Sequence, residues 1–159
     1  MALSDRRPVP LDIEDDDLAG EVLALQRAAY AVEAGLIGSD GIPALTESLE
    51  RLRAADEQWL GMFDGTGLCG IVAWRRLDDG TVDICRLAVA PRAFRRGVAT
   101  ALLDELDRLH PGNPMQVSTG SANDPALTLY GRRGFRPVRQ REAAPGLMVT
   151  ELARTRTGG

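Results

Sequence analysis

Apolar residues recur at helical spacing in the first third of the chain. One stripe, with three or four positions between members, consists of Leu18, Val22, Leu25, Ala29, Val32 and Leu36. Such a stripe predicts an amphipathic helix over residues 18–36. The acidic cluster at residues 14–17 suits the helix start, where the dipole favours negative charge, and Gly38 suits its end. A second helix, with leucines at helical spacing, is predicted from Pro43 to Leu52.

From residue 58 onward the apolar runs become short and are broken by glycine and aspartate. Strands are predicted at residues 59–63, 70–75 and 81–89, joined by the turn sequences DGTG and LDDG. Turns of this length connect antiparallel neighbours and are too short for a parallel crossover. The three strands are therefore predicted to form an antiparallel meander.

Helices and strands alternate in the rest of the chain. One helix is predicted with Val98, Leu102, Leu106 and Leu109 on its apolar side. A shorter helix opens at Asp124 and Pro125 and closes at Gly134. Further strands are predicted at residues 116–119, 135–138 and 147–152, and the opening segment, residues 8–13, is a seventh strand candidate.

Length and composition allow one domain. The chain has 159 residues, of which 44% are hydrophobic and 26% are charged, enough for one core and too few for two ordinary domains. We expect one domain over residues 1–159, with flexible ends at residues 1–10 and 154–159.

The longest uncharged apolar run, residues 67–74, is far shorter than a membrane span, so we expect a cytoplasmic protein and no membrane partner. Two cysteines and a single histidine argue against a disulfide framework and a metal site.

Charge is distributed unevenly along the chain. Residues 1–57 contain thirteen acidic residues and five arginines, whereas residues 58–159 contain ten and fourteen. A sequence pI near 5.0 disfavours nucleic acid as a partner. The basic second part can still hold one small, phosphate-rich ligand.

Residues 83–109 carry the clearest chemical signal, because a predicted strand runs through a glycine-containing turn directly into a helix. Free N–H groups at a helix N-terminus bind phosphate, and the helix dipole adds to the attraction. Gly97 and Ala99 leave room for close approach of the backbone, while Arg95 and Arg96 contribute positive charge. The turn lacks the sequence patterns of ATP-binding and dinucleotide-binding loops, which disfavours ATP and NAD.

This segment resembles the acyl-CoA signature of the GNAT N-acetyltransferase superfamily. The matching positions are Val89-Ala90-Pro91, Gly97-x-Ala99 and Ala101-Leu102-Leu103. One position departs, since Phe94 stands where the motif usually has Gln or Arg. A second block, NDPALTLYGRRGF at residues 123–135, is similar to the family's N-x-x-A-x-x-L-Y-x-x-x-G-F segment at every specified position.

The resemblance implies a mixed α/β (α+β) fold with a mainly antiparallel sheet of six to seven strands. Helices would cover both faces, and the sheet would be splayed at the acyl-CoA strand. Residues 14–57 would form acceptor-side helices, and residues 58–152 the acyl-CoA-binding core. The implied cofactor-binding residues are Leu87, Ala88 and Val89 for the pantetheine arm, Asn123 near the pantetheine, Arg95, Arg96, Gly97, Val98, Ala99 and Thr100 for the pyrophosphate, and Tyr130 beside the thiol.

Acetyl transfer from a thioester to an amine requires a deprotonated amine, a stabilised oxyanion and a protonated leaving thiolate. By the resemblance, Tyr130 would donate the last proton, and Asp83 stands where some members of the family have a glutamate base. Glu33 on the first long helix is the reserve base candidate. The expected reaction is direct transfer from acetyl-CoA to a primary amine of a small molecule or peptide, in a ternary complex and without a metal.

Other interpretations stay open from the sequence. The domain would bind acyl-CoA without catalysis if the Phe94 departure disables turnover, and a nucleotide-binding protein is a third hypothesis. Cys85 either lines the acceptor site or is an unreactive buried thiol. A strand at residues 147–152, if it lies at the sheet edge, would allow a homodimer. The two tryptophans, Trp59 and Trp74, are expected in the core of neighbouring strands.

Overall fold

The computed structural model of the chain describes residues 6–37 and 47–155. Its strands are β1 (Val9–Pro10), β2 (Gln58–Asp64), β3 (Gly67–Arg76), β4 (Val82–Val89), β5 (Met115–Gly120), β6 (Arg136–Ala144) and β7 (Leu147–Arg154). Its helices are α1 (Asp16–Ile37), α2 (Leu49–Ala54), α3 (Val98–Leu109) and α4 (Asp124–Arg132), with one 3₁₀ turn at Pro91–Ala93. The strands form one sheet in the order β1-β2-β3-β4-β5-β7-β6. Only the β4–β5 pair in this described sheet is parallel.

The predicted meander of β2, β3 and β4 is confirmed. Its turns are closed by aspartate side chains, as short polar turns require. The Asp64 carboxylate accepts hydrogen bonds from the backbone N–H of Thr66 at 2.8 Å and of Gly67 at 3.1 Å. In the next turn, the Asp79 carboxylate accepts from the Thr81 N–H at 2.9 Å.

The sheet is splayed between β4 and β5. The two strands pair only where residues 82–84 of β4 lie beside residues 115–117 of β5. Beyond that point β4 continues along β3 as far as Val89, whereas β5 continues along β7 as far as Gly120. This confirms the expected mixed, mainly antiparallel fold and leaves a gap at the end of the paired segment.

Helices cover both faces of the sheet, as expected. One core lies between the sheet and α3 and α4, and the other lies between the opposite face and α1 and α2. Trp74 is buried in the first core and Trp59 in the second, which confirms that both are core residues of neighbouring strands. Gly70 on β3 is required for close packing of α3, because an added Cβ would overlap the Val98 side chain.

The first helix was predicted well, and α2 begins at Leu49, within the second predicted helix. At the start of α1, the Asp15 carboxylate accepts a hydrogen bond from the Leu18 N–H at 3.0 Å, which explains the acidic cluster there. Helix α2 begins at Leu49 because the Ser48 hydroxyl caps it, accepting from the Arg51 N–H at 3.2 Å. Gly38, Pro43 and Leu45, which the sequence assigned to the end of one helix and the start of the other, lie outside the described residues.

Parts of both chain ends that were expected to be flexible lie in the sheet where the structure describes them. Val9 and Pro10 form β1 and pair with β2, and Arg154 belongs to β7. Residues 1–5 and 156–159 lie outside the described ranges. None of the helices in residues 6–37 and 47–155 combines the length and apolar character needed to cross a bilayer.

The expectation that residues 147–152 form an edge strand is wrong. Strand β7 is paired on both sides, with β5 and with β6, so it has no free edge for a second copy. Its pairing is decided by the hairpin that β6 and β7 form, which the sequence pattern does not distinguish from an edge position. The free edge on this side of the sheet belongs to β6, whose side chains are almost all exposed.

Candidate active site

A cavity of about 1060 Å³ opens where β4 and β5 diverge. Residues of α1, β4, β5, the start of α3, α4 and the β6–β7 hairpin line it. The gap in the sheet lets side chains from α1 on one face and α4 on the other reach the same space. Of the predicted cofactor-binding residues, Leu87, Ala88, Val89, Arg95, Gly97, Val98, Ala99, Thr100, Asn123 and Tyr130 line this cavity, and Arg96 does not.

The start of α3 presents free backbone N–H groups to the cavity. Gly97 is the N-cap with a φ of 78°, and no side chain caps the helix, so the first N–H groups of the helix lack intrahelical partners. The first bond within the helix runs from the Ala101 N–H to the Gly97 carbonyl at 2.9 Å. A Cβ at Gly97 would contact nothing within 4 Å, which shows that the space above this turn is open. The geometry is that of an anion-binding helix end.

Two residues of this turn have unusual features. Arg95 has a φ of 64°, in the left-handed region that favours glycine. Phe94, at the position where the motif departs from the family pattern, is 43% exposed and lies at the cavity wall. Strained backbone of this kind is often found at ligand-binding turns.

The β4 wall of the cavity offers unpaired peptide groups. Residues 87–89 of β4 are hydrogen-bonded to β3 on one edge only, because β5 has already diverged from the other. Such a strand edge can pair with an extended amide-containing ligand in the way that it would pair with another strand.

Tyr130 on α4 is buried with 4% of its surface exposed, and its ring packs edge to face against Phe135 at a centroid distance of 5.5 Å. Burial raises the pKa of its phenol, and the nearby Tyr30 and Glu33 raise it further. The hydroxyl therefore stays protonated at neutral pH and can serve as a proton donor. The sequence predicted this residue from the second motif.

Glu33 reaches the same part of the cavity from α1. Burial raises the pKa of its carboxyl, while hydrogen bonds from the Asn123 side chain and the Gly120 backbone act in the opposite direction. A carboxylate with a raised pKa is a better proton acceptor near neutral pH. The sequence offered only a weak signal for Glu33. Gln26, Tyr30 and Glu33 are spaced by four and three residues, so they lie on one side of α1, next to its apolar stripe.

Asp83, the base suggested by the resemblance, does not line the cavity. Its carboxylate accepts hydrogen bonds from Arg75 at 3.2 Å and from Gln116 at 3.2 Å, in the segment where β4 and β5 are still paired. Cys85, two residues later, does line the cavity. Burial, then the charges of Glu57 and Asp83, raise the pKa of the Cys85 thiol to about 11, so it is a protonated wall residue at neutral pH.

A network centred on Arg86 was not found by sequence reasoning. Its guanidinium donates to Glu57 at 2.7 Å, to the Gln26 amide oxygen at 2.9 Å and to both carboxylate oxygens of Glu47, one of them at 2.8 Å. It also lies 5.0 Å from the centroid of the Trp59 ring. Glu47, Glu57 and Arg86 all line the cavity. These partners are up to 60 positions apart in the chain, so no local motif identifies them.

Other residues are accounted for by structural contacts. Arg133 pairs with Asp104 and Asp107 at 2.9 Å each. Asn123 caps α4 by accepting from the Ala126 N–H at 3.2 Å. Within residues 6–37 and 47–155, no group of three or more metal-ligating side chains is arranged to hold an ion.

A splayed sheet, a free helix N-terminus and a buried tyrosine in one cavity are the features that the resemblance to the GNAT superfamily implies. A sequence model of the Acetyltransferase (GNAT) family matches residues 22–135. The chain belongs to this family, which confirms the resemblance seen in its motifs.

Solved structures share the fold over nearly the whole chain. The Escherichia coli ribosomal-protein-S18-alanine N-acetyltransferase superposes with a TM-score of 0.75, 14% identity and coverage of 97% of this chain and 96% of that one. The Thermoplasma acidophilum PaiA N-acetyltransferase, solved in complex with coenzyme A, superposes with a TM-score of 0.71 and 16% identity. The match covers 92% of this chain and 97% of that one. At these identities the likeness concerns the fold alone.

A relative in sequence is the "UPF0157 protein YqkA" of Bacillus subtilis (strain 168). It is 35% identical over 141 residues, which are 88% of this chain and 41% of the relative. The chain thus spans about two fifths of that protein's length, and the relative's name indicates no acceptor.

Proposed function

We propose that the protein is an acetyl-CoA-dependent N-acetyltransferase that acetylates a primary amine of a small molecule or peptide by direct attack in a ternary complex. The observation that carries the proposal is that one cavity joins a free helix N-terminus, an unpaired strand edge and two groups suited to proton transfer, Tyr130 and Glu33. A CoA ester uses the first two features, and acylation of an amine uses the last two.

The cofactor end of the cavity consists of residues 87–89 of β4 and residues 95–100 at the start of α3. We place the pyrophosphate on the free N–H groups of α3, with Arg95 and Arg96 adding positive charge nearby. The pantetheine arm would pair with the open edge of β4. Asn123 would then lie near the pantetheine and Tyr130 beside the thioester, as the family motif implies.

The transfer step needs proton movements at the amine and at the thiol. The ammonium gives one proton to Glu33, directly or through water, and the neutral nitrogen then bonds to the thioester carbon. The second proton that the bonded nitrogen loses replaces the one that Tyr130 donates. A backbone N–H of the β4 edge stabilises the oxyanion. As the carbon–sulfur bond breaks, Tyr130 donates its proton to the sulfur, which leaves as the CoA thiol. We favour Glu33 over Asp83 as the base because only Glu33 lines the cavity.

A second candidate is a non-catalytic acyl-CoA-binding sensor or interaction module. The exposed Phe94 ring favours it, because the guanidinium or amide usual at that position of the motif is missing. This candidate predicts acetyl-CoA binding with no turnover of any amine.

We further propose a cytoplasmic location, since both Cys69 and Cys85 are free thiols.

Titration calorimetry with acetyl-CoA, CoA and ATP tests the cofactor assignment. We expect acetyl-CoA to bind with an affinity on the order of micromolar, in the range common for enzyme substrates, and ATP to give no signal. Binding of ATP but not of acetyl-CoA would contradict the acyltransferase assignment and favour a nucleotide-binding protein.

Tyr130→Phe tests the chemistry. The substitution removes only the hydroxyl, so CoA release with an accepted amine should fall by on the order of tenfold to a thousandfold, while the dissociation constant for acetyl-CoA stays nearly the same. An equal loss of binding and turnover would show that Tyr130 is a structural residue.

A further inference from the structure

The acceptor end of the cavity, defined by Tyr30, Glu33, Glu47, Glu57 and Arg86, carries more negative than positive charge. In the Arg86 network, two carboxylates share one guanidinium. Burial opposes ionisation of Glu47, but hydrogen bonds from Arg86 and Gln26 outweigh it and hold the pKa of Glu47 below its ordinary value. The network therefore has a net charge of minus one.

This excess charge is largely shielded from bulk water. The side chains of Arg86, Glu47 and Glu57 are 10%, 13% and 6% exposed. An uncompensated charge with so little solvation is costly, and a cation within the cavity would offset that cost. The network thus differs from an exposed acidic cluster, in which water already solvates each carboxylate.

Other arginines near the cavity leave the excess in place. Arg51 acts on Glu47 through its charge, and Arg27 donates to the Glu47 backbone carbonyl at 3.3 Å. Both arginines are exposed, so solvent screens them. Including Arg51 and Glu33, the acceptor end still has three carboxylates for two guanidinium groups. Arg141 at the opposite wall shares Glu151 with Arg139, and its side chain is exposed, so solvent screens its charge.

Tyr30 links the network to the reacting groups. Tyr30 lines the cavity, and burial, then the charge of Glu33, raise the pKa of its phenol, on which Arg86, Glu47 and Glu57 also act. Tyr130 is in turn influenced by Tyr30 and Glu33. Gln26, which bonds Arg86, lies seven residues before Glu33 on α1, so about two helical turns separate the network from Glu33, with Tyr30 between them. The face of an aromatic ring is itself a favourable neighbour for an alkylammonium group.

We propose that the acceptor carries two basic groups, a primary amine that reacts beside Glu33 and Tyr130 and a second ammonium that binds against the Glu47–Arg86–Glu57 network. The substrate class is thus a diamine or a longer amine with a second cationic nitrogen. This inference rests on the proposed acetyl transfer. The reacting amine must lose its proton before it attacks. The network can therefore hold only a second nitrogen, one that stays protonated throughout the reaction.

The test compares two acceptors of nearly equal size. Diaminobutane has two amines, whereas in aminobutanol a hydroxyl replaces one of them. We expect kcat/KM for diaminobutane to exceed that for aminobutanol by roughly tenfold or more, the scale of one charge pair in a partly desolvated site. Calorimetric titration of each compound into the CoA-bound protein gives a second readout that does not depend on turnover.

Glu57→Gln assigns the preference to the network. The change makes the network neutral, keeps an amide oxygen for Arg86 to bond, and should reduce kcat/KM for diaminobutane to about the level of aminobutanol. Glu50→Gln removes one carboxylate from the exposed side of α2 and is the matched control for overall charge. If the Glu57 variant does not fold, Glu47→Gln tests the same network.

The outcomes separate this inference from the proposed function. Preference for diaminobutane that Glu57→Gln abolishes and Glu50→Gln keeps would support a site for the second ammonium. Equal acetylation of both compounds would overturn the inference and leave the acetyltransferase intact. Failure of both compounds to bind or react would also overturn the inference. The titration with acetyl-CoA and the Tyr130→Phe variant test the proposed acetyltransferase activity separately.

Discussion

The cofactor end of the cavity offers backbone groups and small side chains, whereas the acceptor end offers charged side chains drawn from distant parts of the chain. At the start of α3, the groups that we propose to bind phosphate are unpaired backbone N–H groups, so glycine and alanine suffice there. At the other end, the Arg86 network joins residues from α1, the segment before α2, the segment before β2, and β4. The difference explains why the first end has a sequence motif and the second has none.

The largest effect is expected at the cofactor end. Gly97→Glu places a carboxylate where the cofactor's phosphates would lie, and we expect acetyl-CoA affinity to fall by on the order of a hundredfold or more. Gly97→Ala is the matched control, because it introduces the same strain at a φ of 78° without charge. Calorimetry on both variants measures the difference, and equal affinities would place the phosphates elsewhere.

Glu33→Gln should have the next largest effect, on turnover. Removing the proton acceptor should lower kcat by on the order of tenfold to a hundredfold, with acetyl-CoA affinity nearly unchanged. Because burial raises the pKa of Glu33, the wild-type rate should fall as pH decreases through a value above the ordinary pKa of 4.5. A pH–rate profile on an accepted amine measures this acidic limb, and its persistence in Glu33→Gln would exclude Glu33 as the base.

The same substitution should have the opposite effect on stability. Since the pKa of Glu33 is higher in the folded protein, the folded state binds more protons than the unfolded state above pH 4.5, and stability falls as pH rises through the folded pKa. Glu33→Gln removes the free-energy cost of burying the ionised carboxylate, so the thermal midpoint of the variant at pH 7 should exceed that of the wild type. An unchanged or lower midpoint would mean that Glu33 is well solvated.

A smaller change is expected from Arg95→Gly. Glycine adopts the φ of 64° without the strain that arginine bears, so we expect the ligand-free protein to gain about 0.5–1 kcal/mol in unfolding free energy. Loss of the guanidinium should weaken acetyl-CoA binding a few-fold. Arg96→Gly, at a position without a positive φ, should bring no such gain in chemical denaturation.

The smallest effect is expected from Asp83→Asn. Its carboxylate bonds Arg75 and Gln116 outside the cavity, and an asparagine oxygen can accept in the same place. We expect kcat within about twofold of the wild type, as for an exposed ion pair of little energetic weight. A large loss of kcat here, with Glu33→Gln active, would reverse the assignment of the base.

Much of the fold was predictable because its signals are local. The stripe along α1, the aspartate-closed turns of the meander and the glycine before α3 each act within a few residues. Boundaries were less predictable where a cap decides them, as Ser48 does for α2. The position of β7 between β5 and β6 depended on pairing between strands far apart in sequence, and the pattern of residues 147–152 is compatible with either an edge or an interior place.

The sequence by itself determined the family, the helix start that can hold phosphate, and Tyr130 on α4. Each depends on a short run of residues whose backbone geometry is set by their immediate neighbours. Only the tertiary structure decided that Glu33 lines the cavity while Asp83 does not, and that Arg86 gathers Glu47 and Glu57 into its wall. The physical reason is that β4 and β5 separate after three paired residues. That separation sets which side chains, from either face of the sheet, share one desolvated space.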